Sequence, residues 1–145
     1  MPTTSTRRKN SVSIQYAVPR RGVPSAASLR RWAALATAPV TLRIVGAREG
    51  RSLNRRYRGK PYATNVLSFS YGKSGGDVVL CHPVIAREAR AQRKTLAAHY
   101  AHLVLHGMLH LRGYDHEKKR EAERMARAEV RLLRRAGFAN PYTVE

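Results

Sequence analysis

The chain has 145 residues, 43% of them hydrophobic, enough for one domain with a core of its own and too many for disorder throughout. A single cysteine, Cys81, excludes an internal disulfide and fits a reducing compartment. No apolar run approaches the ~18 residues of a membrane span. Lys and Arg number 28 against 9 Asp and Glu, a net charge of +19, and residues 1–60 hold 14 of the basic side chains with one acidic one. Such a field draws polyanions, nucleic acid first and anionic membrane second.

Residues 1–10 are polar and basic, with no apolar segment behind them, so they read as a loose basic arm and not as a secretory signal. The folded domain is expected over 11–140, with 141–145 as a tail. Val12 to Val18 alternates as a strand does. Ser25 caps a helix running to about Thr37, with Leu29, Trp32, Ala33 and Ala36 on one face. Thr41 to Val45 is a second strand, and Glu49 to Tyr57 a short, very basic helix. Thr64 to Tyr71 and Asp77 to Cys81 form a hairpin about the turn Gly72 to Gly76. The first two crossovers contain helices, so strands one to three are expected to be parallel. Pro83 to about Arg93 is amphipathic. Leu96 to Leu111, with Thr95 as its cap, is apolar nearly all round in its second half and so buried. Gly113 stops it. Glu117 to Arg135 is a charged outer helix closed by Gly137. The predicted architecture is a single α+β domain, a four-stranded mixed sheet packed with helices.

The chemistry lies in His106-Gly107-Met108-Leu109-His110-Leu111-Arg112-Gly113-Tyr114-Asp115-His116. Four helical steps turn about 400°, so His106 and His110 project about 40° apart, one turn along the same face. Two nitrogens so placed can bind one Zn²⁺, and a reversal at Gly113 lets His116 return to it. One histidine on an apolar face is usually a satisfied core residue. Three, with a glycine turn between them, are hard to explain as packing, because burying imidazoles without partners is costly. Three nitrogen ligands leave a fourth position for water, the pattern of a catalytic zinc site. The spacing His-x₃-His-x₂-Gly-x₂-His matches that of the metzincin proteases, where a glutamate follows the first histidine as general base. Here that residue is Gly107. The domain is therefore zinc-hydrolase-like, and protease is the weaker reading.

The run from His106 to His116 resembles the His-Gly-x-Leu-His-Leu-x-Gly-Tyr-Asp-His signature of the YbeY family, bacterial endoribonucleases of ribosomal RNA maturation. Leu53-Asn54-Arg55-Arg56-Tyr57-Arg58, Ala63-Thr64-Asn65-Val66-Leu67-Ser68-Phe69 and Gly76-Asp77-Val78-Val79 carry the likeness further. It runs from about Ser13 to Tyr142. It departs at Ser70, where a proline is common, and in the strong basic excess. The resemblance implies one Zn²⁺ per chain on His106, His110 and His116. It makes Arg58 the essential arginine, and His110 catalytic through the metal. It implies a cytoplasmic enzyme cutting single-stranded RNA, at the 3′ end of small-subunit ribosomal RNA and in ribosome quality control. Its partners would be ribosomal RNA and the small subunit with its proteins, and no membrane. The rival reading is a ribosome assembly factor whose zinc is structural.

Other side chains have blander readings beside functional ones. Arg51, Arg55, Arg56 and Lys60 surround Arg58; Arg55 and Arg56 suit the RNA backbone better than chemistry. Asp115 either orients a histidine or caps the helix after it. Tyr114 suits packing better than base stacking. His99 and His102 read as buried, hydrogen-bonded histidines, His102 being also a candidate partner of His106. Cys81 and His82 are too isolated for a metal site. Asn65 and Ser68 are candidates for a cleft lining that the sequence leaves open.

Overall fold

The structure, a computed structural model, describes residues 11–142; the basic arm 1–10 and residues 143–145 lie outside the described residues. Strand β1 (Val12–Tyr16) is followed by α1 (Ala26–Ala34), β2 (Val40–Val45), α2 (Ala47–Arg58), β3 (Val66–Ser70), β4 (Gly76–Cys81), α3 (His82–Ala91), α4 (Leu96–Leu111) and α5 (Lys119–Arg135). The Ser25 and Thr95 side chains cap α1 and α4 as expected, accepting from the Ser28 and Ala98 amides at 3.2 and 3.1 Å. The basic helix begins at Ala47, two residues before its predicted start, because its cap is Gly46, which has no side chain to mark it.

Alternation along the strands sorts the core into two layers. Val40, Leu42, Ile44, Val78 and Leu80 face α1, α4 and α5, and Val45, Val79 and Cys81 face the other way, toward Leu53 and Ala63. Tyr100, Val104, Leu105 and Met108 of α4 are wholly buried, so Leu105→Ala should cost about 2–5 kcal/mol. Gly107 lets this helix lie close to the sheet: a Cβ there would come within 2.7 Å of Val78.

The sheet order is β1-β2-β4-β3. β1, β2 and β4 are parallel, and β3 runs antiparallel to β4 at the edge. This corrects the expectation that strands one to three are parallel. After α2 the chain doubles back along the helix. The Asn54 Nδ2 donates to the Tyr62 carbonyl at 2.6 Å, and Ala63 lies beside Gly50, near the start of α2. β3 therefore enters at the end where β2 leaves, and the hairpin inserts β4 between them. Among the described residues no helix is long and apolar enough to cross a membrane.

Candidate metal centre and cleft

The last turn of α4 and the reversal after it make the candidate metal centre. Gly113, at φ 92°, is the left-handed residue that ends the helix. Its amide donates to the His110 carbonyl and the Tyr114 amide to the Leu109 carbonyl, both at 3.0 Å, which is a Schellman closure. The reversal brings the Tyr114 carbonyl to His110 Nδ1 at 3.0 Å and carries His116 to the two helical histidines. The His116 ring centroid lies 4.9 Å from that of His110 and 5.6 Å from that of His106.

Each helical imidazole has one nitrogen taken by an acceptor. His106 Nδ1 donates to the Glu129 carboxylate and His110 Nδ1 to the Tyr114 carbonyl. In the neutral rings each Nε2 is left with a lone pair. The two Nε2 atoms face each other at 3.2 Å, where lone pairs repel unless a cation lies between them. Two nitrogens bound at ~2.0–2.1 Å to a tetrahedral ion would stand about 3.3 Å apart. One ligand atom from each of His106, His110 and His116 lies within 4.8 Å of the others. The donor set fits a metal ion. Burial, together with the neighbouring His106 and His116, pushes the His110 imidazole below its usual range. That keeps it in the neutral form that binds metal.

Behind His106 sits Glu129, which sequence reading passed over. It comes from α5, and its side chain is 1% exposed. One carboxylate oxygen accepts from His106; the other accepts from His102 Nε2 at 2.9 Å and from the Tyr142 hydroxyl. Burial alone would raise this carboxyl, but the three hydrogen bonds outweigh it and hold it at about 2. A carboxylate on the far nitrogen of a ligand histidine fixes the ring's tautomer and direction. His102 is thus hydrogen-bonded but only partly buried, against the buried histidine expected, and lies one carboxylate removed from His106. The signal for Glu129 was its place on the apolar face of α5, between Met125 and Leu132. Tyr142, in the segment read as a tail, had no sequence signal.

The histidines open on a cleft of about 480 Å³, lined also by Arg58, Thr64, Asn65, Val66, Ser68 and Ser70. Arg58, the last residue of α2, therefore shares the cleft with the three histidines, as do Asn65 and Ser68. Asn65 Nδ2 donates to Glu88 at 3.0 Å, and Glu88 also meets His99 Nε2 at 2.9 Å. Ser68 Oγ donates to the Gly107 carbonyl at 3.1 Å, joining β3 to α4. No carboxylate is among the described residues that line the cleft.

The remaining candidates fall outside the chemistry. Asp115 accepts from the His116 amide at 2.7 Å, and α5 begins only at Lys119 with Lys118 as its cap. Asp115 therefore shapes the turn and neither caps that helix nor orients a ring. Tyr114 packs against the core with Arg124 4.8 Å over its ring. Cys81 is buried beneath Gly50, and His82 Nδ1 meets the Tyr100 hydroxyl at 2.7 Å. Neither reaches the cleft.

An α+β domain with three convergent imidazoles and an arginine on one cleft defines a class of candidate metal-dependent hydrolase. Within that class, a family model described as Endoribonuclease YbeY matches residues 21–137. Curated relatives named Endoribonuclease YbeY include one from Stenotrophomonas maltophilia, 50% identical over 92% of this chain and 94% of its own length. Another, from Aromatoleum aromaticum, is 57% identical over 82% of this chain and 81% of its own. The solution structure of a Thermotoga maritima protein covers 92% of the chain at 23% identity with a TM-score of 0.53, a likeness of fold. The chain belongs to the YbeY family.

Proposed function

We propose that this chain is a zinc-dependent endoribonuclease that cuts single-stranded RNA during ribosomal RNA maturation in the cytoplasm, with the small ribosomal subunit and its proteins as partners. Maturation of the 3′ end of small-subunit RNA and quality control of ribosomes are the tasks that go with this reading. The observation that carries it is the pairing, on one cleft, of three convergent imidazoles with Arg58 and, among the described residues, no carboxylate.

One zinc per chain, when bound, supplies Lewis acidity toward a phosphoryl oxygen or a water. His106, His110 and His116 hold it, and Glu129 and the Tyr114 carbonyl keep two of the rings aimed. Arg58 binds the scissile phosphate with its planar donors and stabilises the charge that grows on it in the transition state. Among the described residues Arg58 has no acidic partner, so its charge is available to substrate. The cationic first half of the chain draws the RNA backbone in. A peptidase reading lacks its base: position 107 faces the sheet, and even a Cβ there would strike Val78.

The test is cleavage of single-stranded precursor RNA by purified protein beside His110→Ala. Wild type should cut and the variant should not, whereas a contaminating ribonuclease would act in both. The product ends identify the nucleophile: a 2′,3′-cyclic phosphate means the RNA's own 2′-hydroxyl, a 5′-phosphate means water. If wild type cuts no precursor, even within the ribosome, and Arg58→Ala still supports ribosome maturation in cells, the chain is an assembly factor.

A further inference from the structure

β3 is the edge strand beside the three histidines, and its hydrogen-bond phase sets which backbone groups face out. The Cys81 amide donates to the Asn65 carbonyl at 2.9 Å and the Tyr71 amide to the Gly75 carbonyl at 2.7 Å. With Val66 opposite Leu80 and Ser70 opposite Gly76, these bonds fix residues 65, 67, 69 and 71 as the ones that exchange hydrogen bonds with β4. The amides and carbonyls of Val66, Ser68 and Ser70 therefore point away from the sheet. Among the described residues no backbone hydrogen bond satisfies them. The same three residues line the cleft with Arg58 and the histidines.

We propose that the open edge of β3 reads the Watson–Crick edges of unpaired bases through the amide and carbonyl groups of Val66, Ser68 and Ser70, which makes the cleft selective for single strands. The inference rests on the endoribonuclease reading and extends it to how substrate is chosen. An outward residue of an antiparallel strand offers one donor and one acceptor side by side. Each base carries neighbouring donors and acceptors on its pairing edge, so a strand residue can meet it as a second base would. Outward residues recur about every 6.7 Å, a step that an unstacked nucleotide can span. In a duplex those edges are already paired, and single strands are where they can be hydrogen-bonded. Charge favours RNA over an extended peptide as the occupant. The first 60 residues hold 14 basic side chains and one acidic one, and Arg58 stands in the same cleft.

Ser70 gives a specific handle, because a proline is tolerated on an edge strand where the lost amide hydrogen faces outward. Two oligouridines serve as probes, one plain and one methylated at N3 of every base. Methylation blocks the pairing edge and leaves phosphate charge unchanged. Binding is read before cleavage sets in. Wild type should bind the methylated oligomer roughly 3–10-fold more weakly than the plain one, as expected for the loss of one or two hydrogen bonds. The dependence on salt should be the same for both. Ser70→Pro should weaken the plain oligomer by a similar factor, leave the methylated one nearly unaffected, and keep its metal. The wild-type comparison decides the question even if the variant fails to fold. Equal affinity of wild type for the two oligomers overturns the proposal while leaving the enzyme reading in place. Displacement of RNA by an extended peptide along this edge, with no methylation effect, assigns the edge to peptide and overturns it too. If plain single strands are neither bound nor cut, the enzyme reading itself has failed.

Discussion

The α4 side of the cleft and the α2 side hold their side chains by different means. On α4, His106 is fixed by Glu129 and His110 by the Tyr114 carbonyl, and the helix beneath them is buried core. On α2, Arg58 ends an exposed helix, just before Gly59 in the left-handed conformation, with Arg55 and Arg56 exposed beside it and no acidic partner among the described residues. A metal needs ligands placed to within a few tenths of an ångström. A phosphate needs charge within reach, and on the proposed function the exposed Arg58 side chain supplies it. On that proposed function the two sides divide the work: the α4 side fixes position and the α2 side supplies charge.

The sharpest break in this division is on the α4 side. His110→Ala removes one of three ligands, so purified variant should lose most of its metal, and with it all cleavage. Metal analysis against about one zinc per wild-type chain checks this, and full occupancy in the variant would remove His110 from the site. Glu129→Gln acts one step back. It keeps size but replaces an oxygen that accepts from His106, His102 or Tyr142 with a donor. Metal affinity, read by competition with a chelator, should fall about 10–100-fold.

Acid should act on the same side. The Glu129 carboxyl is held at about 2, down from its ordinary 4.5. Its stabilising contribution is complete above 4.5 and lost as pH falls toward 2, because the unfolded chain takes up the proton first. Burial lowers the His99 imidazole below 6.5 despite its contact with Glu88. The unfolded chain again binds the proton first, so stability begins to fall below pH 6.5. Denaturant titrations from pH 7 to 3 should show a declining midpoint, and a flat profile would contradict both assignments.

The smallest effect belongs to the cations beside Arg58 on the α2 side. Arg55→Ala should leave metal content unchanged and lower the slope of log affinity against log salt by about 0.7, one phosphate contact on a single strand. An affinity for RNA insensitive to salt would remove this helix from the RNA-binding face.

What the sequence made legible follows the same line. The span of α4 was readable to the residue because Thr95 opens it, an apolar run fills it and Gly113 closes it. The three histidines stood out against that run. The place of β3 was not readable: it depends on the Asn54–Tyr62 contact that turns the chain back along α2, and a side chain reaching a carbonyl eight residues on leaves no periodic trace. Glu129 was hidden in a helix rich in charge, where only its spacing from Met125 and Leu132 set it apart. Arg58 was one of several cations on a basic helix. Its motif picked it out, and its position beside the histidines became visible only in three dimensions.

Arg58→Ala tests most directly whether position and charge are supplied separately. Cleavage of single-stranded RNA and zinc content should be measured on the same preparation of this variant and of wild type. The account predicts about one zinc in both, an unchanged fold, and a cleavage rate lower by about 10²–10³, as for loss of a donor to a developing oxyanion. A variant that keeps its zinc and cuts like wild type, or that loses its zinc along with activity, would contradict it.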